Sequence, residues 1–399
     1  MYLSVFFASI GLAYVYLIPA FAEELGAGYL DLGLIGTVRS LPYTFLPAIV
    51  GYLGDRFGRR ELYLSSIFIA GSATLLLFAT YTVDGIVLVQ VLLGVGFSLF
   101  WPISEALVSE ATAVHERTSA LGIYGVAWGS GFLIGPLFGG LIADVASFQI
   151  AFLIAGIVVL TTAAVSVIAI RGEAKKGGLR VQASPEPPWH LLSELLPMLL
   201  VQIPYAIVFS FVVSIFPGYA IQSGLTPLEV GILVSGFAFT RITMFSLSGR
   251  FGGIGERKSI VFAFLGMAIV LLVIPLNRGF IALLADSCLM GAFCGIIYPQ
   301  TVGYISKHSP SANLGFAIGV CETIFGIGFA AGPIASGFIA QITSPDVTYL
   351  VLAVVALSII PILAFEIWPY RNRSVLRGLG RCVRIIHPFS FYSANPRST

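Results

Sequence analysis

Five ionisable residues lie inside stretches that are otherwise almost wholly apolar: Arg39, Glu105, Arg241, Asp286 and Glu322. A charge in an apolar medium costs several kcal/mol unless it is paired or hydrated, so such residues mark a pathway, a relay or a structural ion pair. Arg241 and Glu322 stand at equal depth from one end of their stretches, and Arg39 and Asp286 at equal depth from the other. Equal depth predicts two pairs, Arg241–Glu322 and Arg39–Asp286, each either a static ion pair or a switchable coupling site. Glu105 lies within a turn of the end of its stretch. Other chemistry is missing from the pattern. No Gly-rich loop with Lys-Ser/Thr is present to cradle a phosphate. The histidines (His115, His190, His308 and His387) fall outside the apolar stretches without metal-ligand spacing, and no nucleophile is accompanied by a base. The chain is therefore not expected to be an enzyme, nor to hold a cofactor or a metal. The four cysteines (Cys288, Cys294, Cys321 and Cys382) have no paired spacing and read as small apolar residues.

The elements that must position these charges are membrane helices. Of 399 residues, 57% are hydrophobic and 10% charged, with a mean hydropathy of +0.97, whereas a soluble domain carries about 25% charged residues. Residues 62–82, 145–170 and 347–365 contain no Asp, Glu, Lys or Arg, and about 20 apolar residues span a bilayer. Twelve spans are predicted, near 2–21, 31–52, 62–82, 85–108, 118–142, 146–170, 195–219, 227–248, 258–275, 279–302, 314–340 and 346–367. The fold class is thus an all-α integral membrane protein. Its expected domains are a six-helix bundle over 1–170, a basic linker over 171–194 with Pro-Glu-Pro-Pro at 185–188, a second bundle over 195–367, and a basic tail over 368–399. The loops on one side, with the tail, hold 18 of the 21 Lys and Arg; the opposite loops hold only Arg278. By the positive-inside rule both termini are cytoplasmic. No basic residue precedes the first stretch, so it reads as a retained helix rather than a cleaved signal. In the tail, Arg377, Arg381 and Arg384 fall opposite Leu376, Leu379, Val383 and Ile386, which suits either a surface-lying amphipathic segment or a disordered one. The net charge of +2 gives no reason to expect a nucleic-acid partner.

The chain is also a duplication. An offset of 197 carries Gly58 to Gly255, Arg60 to Arg257, Gly94 to Gly291, Pro102 to Pro299, Gly122 to Gly319 and Gly135-Pro136 to Gly332-Pro333. Paired membrane repeats put a binding site at their interface and let one half rock against the other. Two motifs sharpen this. The first is Gly51, Leu53, Asp55, Arg56, Gly58, Arg59 and Arg60, between the second and third spans. The second is Gly131, Gly135, Pro136, Gly139 and Gly140 on the fifth span, partly repeated as Gly328, Gly332 and Pro333. Small residues four apart allow close helix approach, and an internal Pro bends the helix.

These motifs resemble the signatures of the major facilitator superfamily, over residues 1 to about 367. The resemblance implies twelve helices in two pseudo-symmetric bundles and transport by alternating access. It implies that Asp55 latches onto the start of the eleventh span, near Leu314, with the loop arginines, and that Glu105 joins that network. The helix-packing motif is frequent in antiporters. One departure is Gln90, where proton-coupled members carry an arginine, so coupling through that element is not expected. The family's cavity lies among helices 1, 4, 7 and 10, which makes Tyr14, Tyr16, Trp101, Gln202, Tyr205, Tyr298 and Gln300 candidate lining residues. Trp101 and Tyr298 are repeat-related, and their rings are expected to face each other across the pseudo-two-fold axis. Such a wall suits an amphipathic or aromatic solute. The expected function is efflux of a small amphipathic compound by antiport with a proton or cation, by a monomer in the cell membrane. Uniport or symport of a sugar or metabolite, and a sensor that binds without transporting, stay open.

Overall fold

The computed structural model describes residues 1–113, 116–170, 189–251, 255–277, 279–309 and 313–365. Twelve long helices make up the described chain: α1 (Tyr2–Glu24), α2 (Tyr29–Phe57), α3 (Arg59–Ala79), α4 (Val83–Glu110), α5 (Arg117–Val145), α6 (Phe148–Ala169), α7 (Glu194–Gln222), α8 (Pro227–Ser246), α9 (Glu256–Leu276), α10 (Phe280–His308), α11 (Leu314–Ile342) and α12 (Pro345–Leu363). Eleven are long and apolar enough to cross a membrane. The twelfth, α2, is 29 residues long and carries Asp31, Arg39, Asp55 and Arg56 along an otherwise apolar sequence. Large apolar side chains such as Phe68, Leu88, Phe262, Ile281 and Val354 stand exposed on the outside, a surface that suits lipid and not water.

Local chemistry sets the ends of the helices. One end of the bundle, here the basic end, bears Arg59, Arg60, Arg257, Lys258 and Lys307. At the far end the side chains of Thr82, Ser147, Thr226 and Ser344 accept from the backbone N–H three residues on, capping α4, α6, α8 and α12. Each such cap stabilises by about 1 kcal/mol. At the basic end the turns into α3 and α9 are made by the repeat-related Gly58 and Gly255, at φ +89° and +98°, where a side chain would be strained.

Helices α1–α6 pack among themselves, as do α7–α12; the halves meet along α2–α11, along α5–α8, and where α1 and α7 end. The duplication survives in the packing. Gly131 and Gly135 lie on Phe6, Ser9, Ile10 and Ala13 of α1, while Gly328 and Gly332 lie on Ile203, Ala206, Ile207 and Ser210 of α7. Each neighbour is its counterpart's number plus 197. Across the halves, a methyl group at Gly337 would stand 3.0 Å from Gly33 Cα, and one at Gly231 would stand 3.1 Å from Gly140 Cα. Backbone therefore lies against backbone at both crossings.

These crossings occupy the far half of the molecule, from Gly33 with Gly337 to Thr44 with Gly326, and from Gly140 with Gly231 to Gly129 with Ile242. Towards the basic end, Gly122, Gly303 and Gly319 face open space. Among the described residues the two halves are closed at the far end, and these three glycines near the basic end have no neighbour across the gap. One boundary differs from expectation. Residues 189–194, expected in the linker, are helical, because the helix leading into α7 begins at Trp189. The rest of the linker (171–188) and the tail (368–399) lie outside the described residues.

Candidate functional site

Midway along the helices, where the halves meet, a cavity with about 480 Å³ of space, part of it open to solvent, is lined by Tyr16 of α1, Trp128 and Phe132 of α5, Val212, Val213 and Phe216 of α7, Val234, Phe237, Ala238, Arg241 and Ile242 of α8, and Ser287 of α10. Two aromatic slabs form around it. In the first half, Trp101 meets Trp128 at 5.5 Å and Phe132 at 5.7 Å between ring centroids, and Tyr16 meets Phe132 at 5.5 Å. In the second half, Phe209 stacks on Phe237 at 6.0 Å, Phe329 at 5.6 Å and Tyr205 at 5.9 Å, with Phe325 against Tyr205 and Phe329. Trp128 and Phe132 are four residues apart and so share one face of α5. Adding 197 turns them into Phe325 and Phe329, which share one face of α11. The offset that revealed the duplication could have found both pairs.

The expected lining residues separate. Tyr16 lines the cavity, and Trp101 stands one ring behind it. Tyr14 is buried beneath Gly139. Gln202 and Tyr205 are fully buried, the first beside Cys321 and the second in the Phe209 stack. Gln300 is buried and donates to the Ser248 carbonyl at 2.8 Å, tying α10 to the segment after α8. Tyr298 donates to Glu322 and stacks on Phe245 at 6.3 Å, so it belongs to a different cluster from Trp101.

The buried charges also take unexpected partners. Among the described residues no ion pair joins Arg39 to Asp286 or Arg241 to Glu322. Arg39 donates to Ser214 Oγ across the halves at 3.3 Å, and Asp286 accepts from Asn277 Nδ2 at 2.7 Å. Arg241 lies over the Phe209 ring at 4.5 Å, and Glu322 accepts from Tyr298. Equal depth along the membrane normal does not make two helices turn the same faces to each other. Tyr16 lies within electrostatic range of both arginines. Glu105 is exposed, and its charged neighbour is Glu322, with Tyr43 within range of both.

At the basic end Arg59 pairs with Glu110, the last residue of α4. Arg60 donates to the carbonyls of Val167 and Ile170, where cationic N–H groups meet the negative end of α6. Gly54, within the run that begins at Gly51, lies against Arg59 and Ile103. The side chains of Asp55, Arg56 and Leu314 lie outside the described residues, and the expected latch with them.

The packing motif has two faces. Gly131, Gly135 and Gly139 seal α5 onto α1, whereas Gly140 and the Pro136 carbonyl reach α8. In the second half, Gly328 and Gly332 seal α11 onto α7, and the Pro333 carbonyl reaches Gly33 of α2. Polar links between the halves gather on α2. Thr44 donates to the Gly326 carbonyl at 3.0 Å, and Tyr29 donates to Gln222 at the far end. Thr37 Oγ1 donates to the Ala330 carbonyl at 2.7 Å and accepts from the Ile334 N–H at 3.1 Å, spanning Pro333. Ser235, four residues beyond Gly231 on α8 as Thr37 is four beyond Gly33 on α2, is buried with no hydrogen-bond partner among the described residues.

Comparison with known proteins agrees with this architecture. The family model described as "Major Facilitator Superfamily" matches twice, at residues 1–197 and 198–380. Multidrug resistance protein 1 of Bacillus subtilis is 23% identical over 356 residues, covering 87% of this chain and 89% of that protein. Quinolone resistance protein NorA of Staphylococcus aureus is 21% identical over 365 residues, covering 89% and 92%. Among solved structures, the nucleoside transporter NupG superposes with a TM-score of 0.74 at 11% identity, covering 91% of this chain and 98% of that one.

Proposed function

The chain belongs to the Major Facilitator Superfamily and is a membrane transporter, and from that premise we propose that it exports a small amphipathic compound by antiport with a proton or another cation. The observation that carries this reading is the aromatic cavity at the meeting of the halves, with backbone contact beyond it and glycines that face open space before it. A solute entering from the basic end reaches rings on both halves, and rocking about the glycine crossings then opens the other side. The basic end is the cytoplasmic one by the positive-inside rule, so uptake into the cavity starts from the cytoplasm. The relatives named for multidrug and quinolone resistance support export.

The coupling site proposed is Glu322 with Glu105. The two carboxylates lie within electrostatic range of each other, with no cation between them among the described residues. A proton or other cation entering between them relieves like-charge repulsion, which gives the site a differential affinity that a transport cycle can use. Gln90, fully buried and without a hydrogen-bond partner among the described residues, carries no charge to this scheme. The test is a reconstituted flux assay with a lipophilic fluorescent dye and an imposed pH gradient. Dye should accumulate against its gradient, and Glu322→Gln should abolish accumulation while leaving downhill exchange. Equal flux with and without the gradient would refute antiport; no flux of any tested compound would refute export.

A further inference from the structure

Charge balance at the cavity leads further. Arg241 stands in its wall and Arg39 is buried nearby on α2, with Tyr16 in electrostatic range of both. A guanidinium stays charged in a protein. Among the described residues, the ionisable groups in range of Arg241 are Tyr205, Tyr16 and Cys294, and the one in range of Arg39 is Tyr16. None of these is a carboxylate. The carboxylates of the membrane interior are engaged elsewhere: Asp286 on Asn277, Glu322 on Tyr298, and Glu105 close to Glu322. The ring of Phe209 beneath Arg241 offsets only part of the cost of holding a charge away from water. A ligand can supply the missing anion.

We propose, resting on the transport reading above, that the cavity selects an amphipathic monoanion whose aromatic part lies between Trp128–Phe132 and Phe237 and whose carboxylate, or a group of like shape and charge, is set against Arg241. A guanidinium offers a planar pair of N–H donors that matches a carboxylate in bidentate fashion. Tyr16, in the same wall, adds a hydroxyl donor. A cationic compound placed here meets two like charges, and a neutral one leaves Arg241 uncompensated. A polyanion is disfavoured as well, because Arg241 is the single charged residue in a wall made mostly of apolar side chains.

The experiment compares three probes of one shape, 1-naphthoate, 1-naphthamide and 1-naphthylmethylammonium, binding to the purified full-length protein in nanodiscs by titration calorimetry. Naphthoate should bind at least tenfold more tightly than the amide, with the ammonium weakest. Arg241→Gln should bring naphthoate down to the level of the amide, and Arg241→Lys should keep part of the preference. Equal affinity of naphthoate and amide overturns the proposal, as does tighter binding of the ammonium or no binding of any probe. So does a preference that persists in Arg241→Gln. If that variant does not fold, the wild-type ranking decides alone. Flux of naphthoate and of a neutral dye in proteoliposomes separates the two readings: flux of the neutral dye without anion preference refutes the anion site only, and anion preference in binding without flux of either compound refutes transport only.

Discussion

Replacing Thr37 by Val should loosen the far-side closure. The hydroxyl bridges Ala330 O and Ile334 N on either side of Pro333, at 2.7 and 3.1 Å. Valine keeps the shape and branching of the side chain and removes only the polar bridge. At about 0.5–1.5 kcal/mol for each hydrogen bond, the loss is about 2 kcal/mol. Because the bridge crosses the halves, that loss falls on the state in which they touch at the far end. An equilibrium between closed and open far ends then moves by roughly thirtyfold, at 1.4 kcal/mol for each factor of ten. A cysteine at Leu32, fully buried against Gly218 of the other half, reports this opening when an impermeant maleimide is applied from the far side of a protein freed of its native cysteines. The labelling rate should rise about thirtyfold in Thr37→Val by the same conversion, and stay near wild type in Thr37→Ser. Ser235→Ala removes the corresponding hydroxyl of α8, which has no partner among the described residues, and should leave the rate unchanged. An unchanged rate in Thr37→Val, or an equal rise in Ser235→Ala, would refute the bridge.

Valine at Gly140 or Gly231 would push into the carbonyls of Pro227 or Pro136; both variants should insert normally, lose flux and label faster at Leu32→Cys. A double-mutant cycle of Arg241→Gln with Glu322→Gln, read by thermal unfolding, should be additive within about 0.5 kcal/mol, as for groups that share no contact. The cycle of Tyr298→Phe with Glu322→Gln should show a coupling of about 1 kcal/mol or more, since those two are hydrogen-bonded. Trp128→Ala should weaken naphthoate binding by roughly tenfold through loss of ring contact, and Trp128→Phe by much less; equal affinity in all three proteins would remove Trp128 from the site.

The parts of this molecule that were legible in one dimension are those set by local composition and by the duplication. Apolar run length gave twelve helices because a bilayer demands a fixed rise of satisfied backbone. The 197 offset foretold that Gly135 and Gly332 would meet corresponding residues of α1 and α7, and it already contained Trp128–Phe132 and Phe325–Phe329, although their aromatic role emerged only from the packing. Segregation of Lys and Arg predicts the orientation for the same local reason: each loop carries its own signal.

The partners of the charges were decided by tertiary structure alone. Counting residues from a helix end gives depth, but each residue also turns the side chain by about 100°, and the facing direction depends on how neighbouring helices tilt and cross. Arg39 thus reaches Ser214 and not Asp286, Arg241 settles over Phe209 and not beside Glu322, and Arg59 finds Glu110. Gln202 and Gln300 are polar and sit on the expected helices, yet both face packed protein and not the cavity. Sequence thus determined which residues lie at which depth. The azimuth of each helix, fixed by glycine-to-backbone contacts between α2 and α11 and between α5 and α8, decided which of them meet.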